Sequence, residues 1–168
     1  SGGSGTIVNV SGLTTINVTR SGNQEAIRNL GNMFFNDVAL NMSGIGIAIR
    51  NNKNMSISGD LTVNATSGEV INQNGGDLSI EGLTVLNKTG TGTAINNINN
   101  SKIIFNDNVT LVNSTTAINN NSSEINFFGL VNNLKGNVNN LNNGLINLSN
   151  GQLGGQLNIV GDYVGTNG

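Results

Sequence analysis

The chain has 168 residues, a net charge of −2, 10% charged and 36% hydrophobic residues, 24 Gly and 36 Asn. Cysteine and histidine are absent, which excludes disulfides, Cys/His zinc sites and nucleophilic triads built on either residue. The near-neutral charge offers no electrostatic footprint for nucleic acid, and no apolar run approaches the roughly 18 residues of a membrane-spanning helix.

Taken in chain order, Ser1–Gly5 (SGGSG) reads as a flexible linker and residues 6–168 as one repetitive segment. Thr6–Thr19, with apolar residues alternating at Val8, Val10, Ile16 and Val18, reads as an incomplete first coil. A repeat then opens with AIRN at Ala26–Asn29. It returns as AIRN at Ala48–Asn51, VINQ at Val70–Gln73, AINN at Ala94–Asn97, AINN at Ala117–Asn120 and a weaker NVNN at Asn137–Asn140. The intervals of 22, 22, 24, 23 and 20 residues drift, as expected for coils with corners of variable length.

Two further strand-like runs follow in each coil. The second run pairs Met33 with Phe35, Met55 with Ile57, Leu78 with Ile80, Ile103 with Phe105 and Ile125 with Phe127. The third pairs Val38 with Leu40, Leu61 with Val63, Leu83 with Val85 and Val109 with Leu111. A spacing of two puts both members of a pair on one strand face. Gly, Asn, Asp and Ser fill the corners, where left-handed and turn backbone is needed. The absence of Pro leaves hydrogen-bonded ladders uninterrupted.

The expected fold is therefore all-β: a right-handed, single-stranded parallel β-helix with three short strands per coil and about six to seven coils. Three parallel sheets would wrap one core. Ile27, Ile49, Ile71, Ile95, Ile118 and Val138 should stack in one inward column, and Phe35, Ile57, Ile80, Phe105 and Phe127 in another. At about 4.8 Å per coil the stack reaches roughly 30 Å. Asn29, Asn51, Asn97 and Asn120, with Gln73 in the third coil, are candidates for an amide ladder at one corner; the alternative is that these side chains simply face solvent.

Candidate sites are few. Asp37, Asp60, Glu81 and Asp107 fall near the corner between the second and third runs, as an acidic column that could hold a cation or serve only as turn chemistry. Arg28 and Arg50 occupy equivalent outward positions, where two stacked guanidiniums need an anion or solvent between them; they are candidates for an anionic or glycan ligand or for an ordinary solvated face. N-x-S/T triplets, as at Asn17, Asn64, Asn87 and Asn113, follow from the abundance of Asn. No base or lysine accompanies the acids as a catalytic arrangement requires, so catalytic residues, metal and cofactor are all expected to be absent.

The AINN repeats, the run NNGLINLSN at Asn142–Asn150 and the ending QLNIVGDYVGTNG at Gln156–Gly168 resemble passenger domains of bacterial type V autotransporters, particularly the large Asn-rich passengers of AT-rich anaerobes such as fusobacteria. That resemblance implies a passenger fragment ending at the approach to an autochaperone-like region. It would be held at or released from the bacterial surface and linked to the outer membrane only through a translocator barrel that this chain does not contain. The lack of Cys suits export in an unfolded form. The function implied is a non-enzymatic stalk or adhesin that attaches to a protein or glycan receptor on host or other bacterial cells. The alternatives are a self-associating rod that aggregates cells and, on the same fold, a polysaccharide lyase or hydrolase.

Overall fold

The computed structural model describes residues 7–19, 22, 24–112, 114–148 and 156–165. Ser1–Gly5, Thr6, Asn113 and the final residues of the GDYVGTNG ending lie outside the described residues. The described chain is a β-solenoid of about six turns built from parallel strands, without a helix. First-run strands occupy Gln24–Asn29, Gly46–Asn51, Glu69–Asn74, Thr93–Ile98, Thr116–Asn121, Asn137–Leu141 and Tyr163–Gly165, and they stack as one seven-stranded sheet.

The vertical registration expected from the repeat holds. Ile27 pairs with Ile49, Ile49 with Ile71, Ile71 with Ile95, Ile95 with Ile118 and Ile118 with Val138. The Phe35, Ile57, Ile80, Phe105, Phe127 column is equally in register. Both columns are buried, and the rings of Phe105 and Phe127 stack with centroids 5.3 Å apart. Each coil cannot bury its inward face alone; the next coil covers it, and a drop in apolar exposure repeated at every level holds the rod together. Strand Ile7–Val18 extends the pattern downward, placing Val10 below Phe35, Ile16 below Leu40 and Val18 below Met42.

One expectation holds in part and another is corrected. The second and third runs stack as separate parallel ladders above the first complete coil, and the long strand Asn32–Met42 joins the two ladders into one twelve-stranded sheet. Only Asn36 and Asp37 separate the inward residues Phe35 and Val38, and so short a corner stays extended and keeps its ladder pairing. In the third coil, moreover, the inward pair is Thr84 and Leu86, and Leu83 points outward with 40% exposure. Three residues, Glu81 to Leu83, fill that corner, and the Leu83 amide donates to Asp60 Oδ1 at 2.9 Å. Ser58 to Asp60 fill the corner of the coil below with the same number of residues, so Thr84 lies in register on the inward Leu61 and the apolar residues Leu83 and Val85 fall on the outer face. The cost is a fully buried Thr84 hydroxyl without a hydrogen-bond partner.

The corner after the first run carries the amide ladder. Asn29, Asn51, Gln73, Asn97 and Asn120 are fully buried and in register. Asn29 donates to Asn51 Oδ1 at 2.6 Å, Asn51 to Gln73 Oε1 at 2.9 Å, Asn97 to Asn120 Oδ1 at 2.8 Å and Asn120 to Asn140 Oδ1 at 2.7 Å. The amide nitrogens also donate to backbone carbonyls of the coil above: Asn54 at 2.8 Å, Asp77 at 3.2 Å, Glu124 at 3.0 Å and Leu145 at 3.2 Å, respectively. Between Gln73 and Asn97 the interval is longest. There Gln73 turns to the carbonyls of Gly75 and Gly76, and the Ser101 hydroxyl donates to Asn97 Oδ1 at 2.7 Å. Gly75 and Gly76, at φ 108° and 67°, turn the chain within that interval, and Asn99 and Asn100, at φ 62° and 54°, turn it in the corner that follows Asn97.

Candidate functional site

Arg28 and Arg50 are paired on adjacent first-run strands. The anion that separates them is internal: Glu25 Oε1 lies 2.8 Å from Arg50 Nε and Glu25 Oε2 lies 3.5 Å from Arg28 Nε. The Arg50 Nε–H does not point along its contact, so this is an ion pair without a directed hydrogen bond. One coil above Arg50 the column continues with Asn72 and then Asn96, and the Glu69 carboxylate accepts from both amides. Glu25, Arg50 and Glu69 line a recess of about 250 Å³ beside Ile45 and Ile47. An anionic ligand there competes with Glu25 for the Arg50 guanidinium, whereas polar ligands meet groups whose charges are already paired.

The four acids near the second corner are not one column. Asp37 and Asp60 are stacked, and the same column continues with Leu83, Asn108 and Val131. Glu81 sits one residue after the inward Ile80, level with Ser58 and Asn106, and Asp107 is level with Gly82. Aligning by sequence alone merges these positions because the corner grows from two residues in the first coil to three in the next ones. Each carboxylate has a local donor. Asp37 Oδ1 accepts the Asp60 amide at 2.9 Å, Asp60 Oδ1 the Leu83 amide at 2.9 Å, Glu81 the Ser79 hydroxyl at 2.8 Å and Asp107 the Asn108 amide at 2.6 Å. The first two bonds staple one coil to the next. A Cβ at Gly59 or Gly82 would strike the carboxylate of Asp37 or Asp60, so glycine there is what admits the staple. Among the described residues, no three acidic side chains come together as a metal site.

The most regular outward feature was visible in the sequence only as incidental N-x-S/T triplets. Asn17, Asn41, Asn64 and Asn87 stack in one column on the third-run face. Asn41 donates to Asn17 Oδ1 at 2.8 Å, Asn64 to Asn41 Oδ1 at 2.8 Å and Asn87 to Asn64 Oδ1 at 2.9 Å. Two residues on, Thr19, Ser43, Thr66 and Thr89 form a parallel row. Between the rows the strands turn Val18, Met42 and Ala65 toward the core, and the outer face there is a shallow trough of about 380 Å³ along the solenoid axis. No charged side chain lines it. The coincidence of four triplets at one coil position is the signal that could have found it; tabulating triplets without folding them onto coils hides it.

In the fourth level of that trough the middle residue is Lys88, paired in register with Ala65 and fully buried. Its Nζ donates to the carbonyls of Gly90, at 3.0 Å, and Thr91. Burial pulls its pKa below the ordinary lysine value. The ammonium thus serves the corner as an internal cation and leaves the trough uncharged. On the second-run face, Lys102 Nζ lies 3.0 Å from Glu124 Oε1. The Asn126 amide, first, and then Lys102 hold the Glu124 carboxyl below its usual range.

Neither a family model, nor a curated protein sequence, nor a solved structure matches this chain.

Proposed function

We propose that this chain is a non-enzymatic, surface-exposed stalk and adhesin segment of an autotransporter passenger, supporting attachment to host or other bacterial cells. The observation that supports this most is the continuity of its outward polar columns, above all the unbroken Asn17, Asn41, Asn64, Asn87 ladder. A rod that repeats one chemical group at a fixed spacing gains contacts additively along a partner, which is how weak individual contacts become firm attachment. The corners between the second and third runs hold only a few residues and carry acids spent on backbone amides, an arrangement suited to a scaffold more than to convergent acid–base chemistry.

Binding of the fluorescently labelled chain to epithelial cells and to bacterial cells tests the proposal. The expected result is saturable binding without release of reducing or unsaturated sugar ends from surface polysaccharides. Sugar release would replace the adhesin with an enzyme, and the absence of saturable binding to either cell type would remove adhesion altogether.

A further inference from the structure

We infer that Asn74–Gly75 is a self-modifying site, where Asn74 converts to isoaspartate through a cyclic imide and loosens the corner at which the buried amide ladder is interrupted. Water is the only co-reactant, and the inference is independent of the adhesive role proposed above.

The reaction is intramolecular. The Gly75 backbone nitrogen gives up its proton to a solvent base and attacks Asn74 Cγ. An N–Cγ bond forms, the Cγ–Nδ2 bond breaks, and ammonia leaves. Water then opens the imide ring at one of its two carbonyls. Opening at the backbone carbonyl routes the main chain through the side chain as isoaspartate; opening at Cγ leaves aspartate. In either case one amide and one water become one carboxylate and one ammonium ion.

Two conditions favour the attack: a small residue after Asn, and a backbone N–H on that residue that is not already donating. Among the described residues the first condition holds at Asn74–Gly75, Asn100–Ser101, Asn121–Ser122 and Asn143–Gly144. The structure separates these four by the second. The Ser101 amide donates to Ser123 Oγ at 3.2 Å, and the Ser122 and Gly144 amides donate to the Leu141 carbonyl at 3.1 and 3.0 Å. Among the described residues the Gly75 amide has no acceptor. Gly75 and Gly76, at φ 108° and 67°, carry no Cβ to hinder the rotation that brings the nitrogen onto Cγ. Asn99 Nδ2 donates to Asn74 Oδ1, which draws electron density from Cγ and makes it a better electrophile. Asn74 itself is half-buried, within reach of water.

The position gives the conversion its consequence. Gln73 Nε2 donates to the Gly75 carbonyl at 3.1 Å and the Gly76 carbonyl at 2.8 Å in place of a bond to Asn97, and the Gly76 carbonyl also accepts the Lys102 amide at 3.1 Å. Isoaspartate inserts a methylene into the main chain immediately before both carbonyls. It displaces them at the one level where the coils of Gln73 and Asn97 are not riveted amide to amide.

Ageing of the whole folded chain in heavy-oxygen water at mildly alkaline pH, followed by tryptic mapping, tests this. Cleavage at the lysines places the four candidates in different fragments, 54–88, 89–102, 103–135 and 136–168. Electron-transfer fragmentation locates the converted residue, and methyl acceptance from an isoaspartyl methyltransferase reports the rearranged main chain. Asn74 should convert on the order of tenfold faster than Asn100, Asn121 or Asn143, the factor that freeing one tied amide costs. The rate should rise with pH, and fragment 54–88 should accept methyl groups. Asn74→Gln, which would have to close a larger ring, should abolish that acceptance. The isoaspartate form, separated by ion exchange, should unfold at lower denaturant than the fresh chain. Asn74→Asp, which carries the new charge on an unaltered main chain, should not. Conversion of another of the four at an equal or higher rate, methyl acceptance by fragment 54–88 unchanged by Asn74→Gln, or an isoaspartate form as stable as the fresh chain would overturn the inference.

Discussion

At the corner after the first run, Asn29, Asn51, Asn97 and Asn120 are fully buried, and each amide donates both to another coil's side chain and to a backbone carbonyl. On the third-run face, Asn17, Asn41 and Asn64 are exposed, Asn87 is half-buried, and their bonds among the described residues run only within the ladder. Both columns repeat at nearly the same interval and use the same side chain. The difference is in what surrounds the second N–H: a carbonyl of the next coil in one, open trough in the other. A saturated buried amide is a structural rivet, because each bond it loses strands a partner away from water. A half-used exposed amide costs little to lose and remains able to bind something else.

The largest effect that sharpens this contrast is Asn51→Ala. It removes the acceptor for Asn29 and the donor for Gln73 and for the Asp77 carbonyl, all at a position without solvent access. Destabilisation of about 3 kcal/mol by chemical denaturation is expected, with faster amide exchange in Gln24–Asn29 and Glu69–Asn74, the neighbouring strands. A loss comparable to that of an exposed site would show that the buried ladder is ornamental.

Thr84→Val should act in the opposite direction. It replaces the unpartnered buried hydroxyl with a methyl group of similar shape, and a gain of about 1 kcal/mol in thermal or denaturant unfolding is expected. Loss of stability would mean that the hydroxyl is satisfied in solution.

Asn64→Ala tests the open ladder and should change stability by less than about 0.5 kcal/mol, since the amide that it removes is exposed. If it unfolds the chain as readily as Asn51→Ala, the two ladders do the same work and the trough rim is structural.

The smallest effect lies at acid pH. The Glu124 carboxyl, held below its usual range by Asn126 and Lys102, contributes stability above the unfolded-state carboxyl pKa, and that contribution is lost as pH falls through the lower folded value. With about a third of the side chain exposed, solvent screens the pair. Glu124→Gln should therefore flatten only slightly the fall of the melting temperature on acidification. An unchanged acid limb would show that the pairing with Lys102 and Asn126 does not outlast thermal motion.

The sequence by itself determined the coil period, the inward columns headed by Ile27 and Phe35, and the alignment of the buried Asn corner, because all of these depend on the alternation of two along a strand and on one interval repeated from coil to coil. Only the tertiary structure decided how the corners set the phase. Register on Leu61 put Thr84 in and Leu83 out, and unequal corner lengths split four acids into separate columns. It likewise placed Glu25 between two arginines, sent Lys88 inward and left one Asn ladder open to solvent. The physical reason is that alternation is local and survives in any fold, whereas the surroundings of a corner or an amide are supplied by residues some twenty or more positions away, which meet it only when one coil settles on the next.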